Sequence, residues 1–488
     1  MSRKQQIKYT KLFINNEFVD SVSKRKFPTL NPATEEKITD VAEADKADVN
    51  LAVLAAKGAL RRGSEWRKLD ASERGKLMLK LTELMERDLD ILAELETLDN
   101  GKPLRDSKLD MQYAIDTLRY FAGWCDKIQG KTIPADGNLL AMTKMEPVGI
   151  VGQIIPWNYP VLMLSWKWGP ALAAGCAVLL KPAEQTPLSA LHMAALSKEA
   201  GFPNGVINVL PGFGPTAGAA MVKNMDINKI AFTGSTEVGR KIMEMAAQTN
   251  LKRISLELGG KSPLVVMNDA DLDKAVEIAQ NAVFANQGQN CCAASRTFVQ
   301  ADIHDKFVRK SVELAKARQV GDPFAEDTDQ GAQIDQEMLD KICRLIESGK
   351  AEGAVLETGG RRKGKKGIFI EPAVFSNVRD DMRIAREEIF GPVQCILKFK
   401  TLEEVLDRAN DTQFGLAAGI LTKNMDNAML FAQNVKAGSV WINTYNAIVP
   451  QAPFGGFKMS GMGRELGQDA LKEYLEIKTI AVNMPHMQ

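Results

Sequence analysis

Two adjacent cysteines stand near the end of the segment Phe284–Arg296, which reads FANQGQNCCAASR. Cys291 and Cys292 follow a run of turn-forming residues, just after a helical pattern ends. An exposed thiolate is a strong nucleophile at neutral pH. A free cysteine is more often a small buried hydrophobe, so the alternative is a packing role. We favour a reactive thiol because this pair is predicted to lie on a loop.

A carboxylate stands upstream at the end of a predicted strand. Residues 254–260 read ISLELGG, in which apolar residues alternate with Ser255 and Glu257. Glu257 therefore projects from the face opposite the leucines, just before a Gly-Gly turn. Such a carboxylate acts as a general base if dry surroundings raise its pKa, whereas on a solvated face it is only a surface charge.

The two segments together carry a resemblance to a known family. LELGGKS at residues 256–262 and FANQGQNC at residues 284–291 resemble the paired signature of the NAD(P)-dependent aldehyde dehydrogenases. The resemblance extends from residue 13 to Tyr474 and is strongest to the class 1 and 2 enzymes, a branch that includes retinal dehydrogenases. It implies a variant Rossmann domain, a second α/β catalytic domain and a small β arm.

The resemblance implies a covalent mechanism centred on Cys291. The thiolate attacks the aldehyde carbon, a hydride passes to NAD, and a water activated by Glu257 hydrolyses the thioester to the acid. Asn158, in the segment PWNYP, is then the donor that stabilises the oxyanion together with the backbone N–H of Cys291. From the residues alone, an Asn between two prolines is equally a turn former. Lys167 and Glu465 resemble a pair that relays protons to and from the catalytic Glu.

A dinucleotide is expected at the carboxyl ends of the first strands, although the fingerprint GxGxxG is absent. Gly234 and Ser235 lead into a helix whose N-terminus offers N–H groups to a pyrophosphate. Glu184 beside Lys181 favours NAD over NADP, because a carboxylate repels a 2′-phosphate. By resemblance, the cofactor residues are Ile154, Pro156, Trp157, Lys181, Glu184, Gly214, Phe232, Gly234, Ser235, Val238, Leu258, Gly259, Glu388 and Phe390.

The substrate channel is expected to be apolar and aromatic. By resemblance, its residues are Tyr113, Tyr159, Trp166, Asn290, Cys292, Ile448 and Phe454. Three positions depart from the family pattern. Tyr113 is bulky for a wide retinal tunnel, Asn290 replaces the usual Cys, Thr or Ile, and Met338 stands where Gln is common. They bear on substrate size and cofactor affinity, not on the reaction type.

Two other functions remain open at this stage. One is a catalytically silent structural protein with this fold, as some lens crystallins are, and the complete set of Cys291, Glu257, Asn158 and Lys181 argues against it. The other is a CoA-acylating enzyme, which the retention of Glu257 disfavours.

The length and composition predict a multidomain globular protein, and its cysteines and histidines show no metal-site spacing. The 488 residues have a formal net charge of +1, with 45% hydrophobic and 25% charged residues, which gives no indication of a nucleic-acid or membrane partner. Six cysteines without a CxxC spacing and three histidines predict neither disulfides nor a zinc site. The N-terminal residues lack a presequence pattern and the C-terminal ones match no sorting signal, which favours the cytoplasm.

Strand and helix patterns alternate from Val148 to Phe232, which predicts a parallel, doubly wound sheet. We expect helices from Leu104 to Gln129, from Thr186 as N-cap to Gly201, and from Asp271 to Phe284. The expected domains are residues 1–128 and 148–259 for NAD binding, 260–460 for catalysis, and 129–147 with 470–488 as an arm. By resemblance, that arm joins a homo-oligomer, expected to be a tetramer built as a dimer of dimers.

Overall fold

The computed structural model describes residues 7–484. The terminal residues 1–6 and 485–488, which the expected domain limits and the reading of the termini include, lie outside the described residues. Among the helices within 7–484, none is both long and apolar enough to cross a membrane.

The regular elements of the first half of the chain follow in order. They are β1 (Leu12–Ile14), β2 (Glu17–Val19), β3 (Lys26–Asn31), β4 (Glu36–Ala42), α1 (Lys46–Leu60), α2 (Glu65–Lys68), α3 (Ala71–Arg87), α4 (Leu89–Asn100), α5 (Leu104–Ala122), β5 (Thr132–Ile133), β6 (Leu139–Pro147), β7 (Ile150–Ile154), α6 (Pro160–Ala174), β8 (Ala177–Lys181), α7 (Leu188–Ala200), β9 (Ile207–Val209), a π-helical turn (Gly214–Gly218), α8 (Ala219–Lys223), β10 (Lys229–Thr233), α9 (Thr236–Ala247) and β11 (Arg253–Glu257).

The second half continues with these elements. They are β12 (Pro263–Val266), α10 (Leu272–Phe284), a 3₁₀ turn (Ala285–Gly288), β13 (Arg296–Gln300), α11 (Ala301–Ala317), α12 (Gln336–Ala351), β14 (Val355–Thr358), β15 (Ala373–Ser376), α13 (Arg383–Arg386), β16 (Val393–Phe399), α14 (Leu402–Asn410), β17 (Ala417–Leu421), α15 (Met425–Asn434), β18 (Ser439–Ile442), a 3₁₀ turn (Lys458–Ser460), β19 (Gly461–Met462), α16 (Asp469–Lys472) and β20 (Leu475–Asn483).

Two large sheets form the body of the molecule, which confirms the predicted α/β fold. The first has the order β19-β11-β10-β7-β8-β9-β1-β2, and its five central strands β11, β10, β7, β8 and β9 are parallel. The second has the order β14-β15-β16-β13-β12-β17-β18. The chain leaves the first sheet after β11 and enters the second at β12, close to the expected boundary at residue 259.

A third sheet lies apart from these two. It joins β20 to β6 in a nine-residue antiparallel ladder, from Leu475 opposite Pro147 to Asn483 opposite Leu139, with the short β5 beyond β6. The two segments expected to form the small β arm thus pair with each other. Ile477 in β20 is 68% exposed, which is unusual for a large apolar side chain of a strand.

Two predicted helix limits are wrong. The helix from Leu104 ends at Ala122 rather than at Gln129, because Gly123 caps it and a run of turns follows. Helix α7 begins at Leu188 with Pro187 at the cap position, and the Thr186 hydroxyl does not cap it. Asp99 takes over that function, because its Oδ2 accepts the N–H of Leu188 at 3.2 Å. Gly201 ends α7 in a left-handed conformation, as predicted.

Two aspartates at the N-termini of α1 and α3 allow a matched test of capping. Asp45 accepts the N–H of Ala47 and shares a capping box with Asp48, whereas Asp70 makes no side-chain cap bond. We expect Asp45→Ala to lower the free energy of unfolding by about 1 kcal/mol, measured by urea denaturation. Asp70→Ala is the control and should lower the free energy of unfolding by much less. Equal losses in the two variants would contradict this assignment.

Candidate active site

A cavity of about 400 Å³ lies between the two large sheets. Cys291, Glu257 and Asn158 all line it, although their positions in the sequence differ by 34 to 133. The parallel sheet explains the positions of two of them. Glu257 is the last residue of β11, and Asn158 lies in the loop after β7. Ligands bind outside the carboxyl ends of such strands, so the sheet explains why these groups converge.

The cysteine loop reaches the cavity through an unusual turn after α10. Asn286, Gln287 and Gly288 have φ values of 51°, 58° and 73°, three left-handed residues in succession. A Cβ at Gly288 would collide with the carbonyl of Gly391, so this position requires glycine. The turn reverses the chain and brings Cys291, which is half-buried, to the cavity wall.

Side-chain amides join the cysteine loop to the loop after β7. Asn286 Nδ2 donates to the carbonyl of Asn158 at 2.9 Å and to that of Gln289 at 3.1 Å. Asn158 Nδ2 donates to the carbonyl of Gln289 at 3.0 Å. Asn100 Nδ2 holds the carbonyl of Trp157 at 2.6 Å from the other side. Because these groups are buried, the bonds set the position of the Asn158 amide relative to Cys291.

The two cysteines have different surroundings. Cys292 is buried, and its Sγ donates to Asn290 Oδ1 and to Asn446 Oδ1, both at 3.3 Å. The Cys292 thiol, followed by burial, raises the pKa of Cys291 well above the ordinary range. The pair lies in a turn rather than in an extended segment, and Cys292 also lines the cavity although it is almost completely buried. A neutral Cys291 thiol is therefore the stable form until a charge or a base changes its surroundings.

Glu257 is a dry carboxylate. It is 5% exposed, and within residues 7–484 neither of its oxygens has a hydrogen-bond partner. Burial raises the pKa of Glu257 well above its ordinary value, and the nearby Glu465 raises it further. Lys167 forms a buried ion pair with Glu465 and donates to Thr233 Oγ1 at 2.6 Å. The residues expected to relay protons thus lie together behind Glu257.

The residues expected to hold a dinucleotide fall into two groups. One group lines the same cavity as Cys291: Pro156, Trp157, Gly234, Ser235, Leu258, Gly259, Glu388 and Phe390, with Met338 and Lys341. Glu388 Oε1 accepts the N–H of Gly260 at 3.0 Å, and a Cβ at Gly259 would collide with that carboxylate. The Glu388 carboxylate therefore rests directly on the Gly-Gly backbone.

The other group lies outside that cavity, along the first sheet. Lys181 ends β8, is buried, and donates to Glu184 Oε2 at 3.3 Å, while burial lowers the pKa of Lys181. Val238 lies in the first turn of α9, where its N–H donates to Ser235 Oγ at 3.3 Å. The remaining members are Ile154 in β7, Phe232 in β10 and Gly214 in the π-helical turn, where a Cβ would meet no atom within 4 Å.

All seven residues expected in the substrate channel line the cavity. These are Tyr113, Tyr159, Trp166, Asn290, Cys292, Ile448 and Phe454. Trp166 and Phe454 are in edge-to-face contact with their ring centroids 5.2 Å apart, deep in the wall. Tyr113 is 50% exposed on α5, which places it toward the outer part of the cavity. The wall is mainly aromatic and aliphatic, which suits an apolar ligand.

Sequence patterns missed a buried charge cluster beside this wall. Lys102 Nζ donates to Glu96 at 2.9 Å and to Asp110 at 2.7 Å, and it lies 4.5 Å from the centroid of the Tyr159 ring. Glu96 also accepts the N–H of Val161, which lies in the first turn of α6. The cluster therefore supports Tyr159 and the loop that carries Asn158. No periodicity marks a buried Lys, so only the three-dimensional contacts identify it. Among the described residues, no group of His, Cys, Asp and Glu is arranged to hold a metal.

Comparisons with known proteins agree with this geometry. A family model described as the aldehyde dehydrogenase family matches residues 18–480. The chain is 59% identical over 483 residues to Retinaldehyde dehydrogenase 3 of Mus musculus, covering 99% of this chain and 94% of the relative. It is 60% identical over 479 residues to Aldehyde dehydrogenase 1A1 of Oryctolagus cuniculus, covering 98% and 97%. The NAD⁺ complex of an aldehyde dehydrogenase from Bacillus cereus superposes with a TM-score of 0.96 at 48% identity, covering 98% and 97%.

The raised pKa of Cys291 predicts slow alkylation at neutral pH. In the protein without added ligands, the rate of Cys291 labelling by iodoacetamide should still increase above about pH 9.5, one unit above the ordinary thiol pKa of about 8.5, where an unperturbed thiol is almost fully ionised. Cys292→Ala removes the largest cause and should shift this profile to lower pH. Peptide mapping by mass spectrometry follows the label, and Cys291→Ser gives the background. A plateau below about pH 9.5 in the unmodified sequence would contradict the prediction.

Proposed function

This chain belongs to the aldehyde dehydrogenase family, and from that premise we propose that it oxidises an apolar aldehyde to its carboxylic acid with NAD, using Cys291 and Glu257. The observation that carries the proposal is the single cavity that joins the Cys291 thiol, the unpartnered Glu257 carboxylate and the Asn158 amide.

Cys291 is the proposed nucleophile. Its sulfur forms a bond to the aldehyde carbon, and the thiol proton leaves for a nearby base. The oxygen of the resulting thiohemiacetal carries developing negative charge. Asn158 has a second N–H besides the one that binds Gln289, and we assign this N–H and the backbone N–H of Cys291 to that oxygen. Losing one such donor typically costs about 3–4 kcal/mol of transition-state stabilisation.

The residues present fit NAD. The Glu388 carboxylate on the Gly259–Gly260 backbone is placed to hold a ribose, and Phe390 packs edge-on against Trp157 beside it. The start of α9 at Ser235 offers N–H groups to a pyrophosphate, and Lys181 with Glu184 offers a cation and a carboxylate to the other ribose. When bound, NAD supplies the acceptor for the hydride that the thiohemiacetal carbon loses, which leaves a thioester on Cys291.

Glu257 is the proposed base of the second half-reaction. It removes a proton from a water molecule that attacks the thioester, so that a C–O bond forms and the C–S bond breaks. Its raised pKa makes it a stronger base once it is ionised. Lys167 and Glu465 then exchange protons with it. Splitting the oxidation into two steps is the gain of covalent catalysis.

The aromatic wall supports an apolar substrate. Tyr159, Trp166 and Phe454 offer no charge to a polar aldehyde, and the curated relatives include enzymes named for retinaldehyde. Retinaldehyde is thus one member of the proposed class, together with aliphatic and aromatic aldehydes. The half-exposed Tyr113 narrows the outer cavity and favours slender chains over broad ones.

We also propose the wider organisation that the sequence predicts. The sheet of β5, β6 and β20 is the proposed oligomerisation arm, since it stands apart from both large sheets and exposes apolar side chains such as Ile477. The first sheet corresponds to the proposed NAD-binding domain and the second to the catalytic domain. A homotetramer in the cytoplasm is the proposed state.

Removing the sulfur tests the nucleophile. We expect Cys291→Ala to abolish NADH formation from an aliphatic aldehyde, measured by absorbance, because no covalent adduct can form. Cys343→Ala, a half-buried cysteine on α12 outside the cavity, is the matched control and should retain activity. Retained turnover in Cys291→Ala would refute the assignment. If the unmodified enzyme forms no NADH, a structural role without catalysis is favoured, and formation of acyl-CoA would indicate a CoA-acylating enzyme.

Replacing the carboxylate tests the base. Glu257→Gln should slow hydrolysis of the thioester by about 10²–10⁴-fold while a first burst of NADH remains, because acylation does not need this base. Wild-type hydrolysis should rise with pH through a pKa above the ordinary range of Glu, and the variant should lose that dependence. Rapid-mixing kinetics with a trapped acyl-enzyme separates the two steps. An unchanged steady-state rate in the variant would reject this role.

A further inference from the structure

Polar and ionisable side chains lie toward both ends of one face of strands β10 and β11. The parallel register pairs Lys229 with Arg253, Ala231 with Ser255, and Thr233 with Glu257. Alternate residues of a strand share a face, so Lys229 and Thr233 face the same way as Ser255 and Glu257. Glu257 stands at the cavity end of this face, and Lys229 stands at the opposite end of β10.

Hydrogen bonds and ion pairs occupy both ends of this face. At the cavity end, Lys167 binds Thr233 and Glu465. At the other end, Lys229 Nζ donates to Ser255 Oγ at 2.9 Å and reaches Glu473 Oε2 at 3.4 Å. The Lys229 side chain is completely buried, whereas that of Glu473 is 27% exposed. These polar groups therefore begin at the dry carboxylate and end at a group in contact with water.

A glycine, Gly463, leaves room for the side chains of Ser255 and Glu473. Gly463 follows the short strand β19, and its φ is +86°. A Cβ there would lie 3.0 Å from Ser255 Cβ and 3.1 Å from the carboxyl carbon of Glu473. The backbone thus passes close to the junction between Ser255 and Glu473, and no side chain separates Lys229 from that carboxylate.

The surroundings of Lys229 suit proton exchange near neutral pH. Burial lowers the pKa of Lys229 to about 8, while Glu473 and Glu465 oppose the decrease and Lys167 adds to it. Tyr474, with its ring centroid 5.2 Å from Nζ, and Cys176 also face this group. An ordinary lysine has a pKa near ~10.4 and holds its proton throughout the physiological range.

The proposed reaction requires such an exit. Each thioester hydrolysis transfers a proton from water to Glu257, which must lose that proton before it can act again. Glu257 has no hydrogen-bonded partner within residues 7–484, and the cavity wall next to it is apolar. Lys167 and Glu465 are themselves buried, so they cannot pass the proton to solvent directly.

We propose that Lys229 and Glu473 conduct protons between the buried Lys167–Glu465 pair and solvent, and so reset Glu257 after each turnover. Protonated Lys229 gives a proton to the Glu473 carboxylate, which releases it to water, and neutral Lys229 then accepts the next proton. The proposal rests on the proposed function of Glu257. Neither residue touches substrate, so both act through the groups between them and the cavity.

Two substitutions separate proton conduction from structural support. Glu473→Gln keeps the shape and the acceptor oxygen but cannot release a proton, and Glu473→Asp restores a titratable group. Lys229→Arg keeps the positive charge but cannot lose a proton in a protein. Lys252→Met is the matched control: burial lowers the pKa of Lys252 to about 8 as well, yet its Nζ binds only Asn224 O and Thr249 Oγ1.

We expect Glu473→Gln and Lys229→Arg to lower kcat by about 10- to 100-fold, less than the loss of a directly acting base. The pH profile of kcat should change, the NADH burst should remain, and an indicator dye should report delayed proton release in a single turnover. Glu473→Asp should restore much of the rate, and Lys252→Met should leave it unchanged.

Two results would overturn the proposal. One is a wild-type kcat and pH profile in both Glu473→Gln and Lys229→Arg, which would mean that protons leave through the cavity mouth. The other is full recovery in Lys229→Arg of a rate that is lost in Lys229→Met, which would indicate support by charge alone. Either result leaves the proposed function intact, whereas absence of NADH formation by the unmodified enzyme would reject that function first.

Discussion

The arrangement of the site depends on one constraint, the left-handed turn that follows α10. Asn286 and Gln287 adopt φ values that side-chain-bearing residues usually avoid, at a cost of the order of 1–3 kcal/mol each. The Asn286 amide offsets that cost, because its two bonds bind the turn to the carbonyls of Asn158 and Gln289. Without this turn, the chain would continue along the direction of α10 and carry Cys291 away from the cavity. The strain therefore positions the thiol that the chemistry needs.

The same site is largely shielded from water, and this burial determines its electrostatics. The Cys292 thiol and burial raise the pKa of Cys291, burial and Glu465 raise that of Glu257, and burial alone raises that of Glu388, so each is held toward its neutral form. A low dielectric strengthens every charge that develops during reaction, and it also penalises every charge that is stored. This explains why Lys167 forms its buried pair with Glu465 and why Lys102 is paired with two carboxylates, since an unpaired buried charge would cost several kcal/mol.

Local patterns in the sequence predicted much of this fold. The alternation of strands and helices predicted the parallel sheet, and Asp271 predicted the start of α10. The errors arose where the limit of a helix depends on more than its local sequence pattern. Asp99, 89 residues away, replaces Thr186 at the start of α7, and periodicity does not distinguish the end of α5 from the turns after it. For the site, the long sequence motifs identified the residue types. The contacts of Asn100 and Lys102 could be identified only from the tertiary structure.

The parallel register of β10 and β11 determines which polar side chains share a face with Glu257. Because Thr233 lies opposite Glu257 in adjacent strands, the residue two positions earlier on β11 shares the face of the Glu257 carboxylate. That residue is Ser255, and it meets Lys229 from β10 at 2.9 Å. A central strand usually places apolar side chains against its packed helices. Here, one face carries polar side chains, and Lys167 of α6 binds one of them, Thr233. The chain thus places polar groups in the core between Glu257 and the surface. A hydrophobic face at the same positions would have stabilised the sheet more simply.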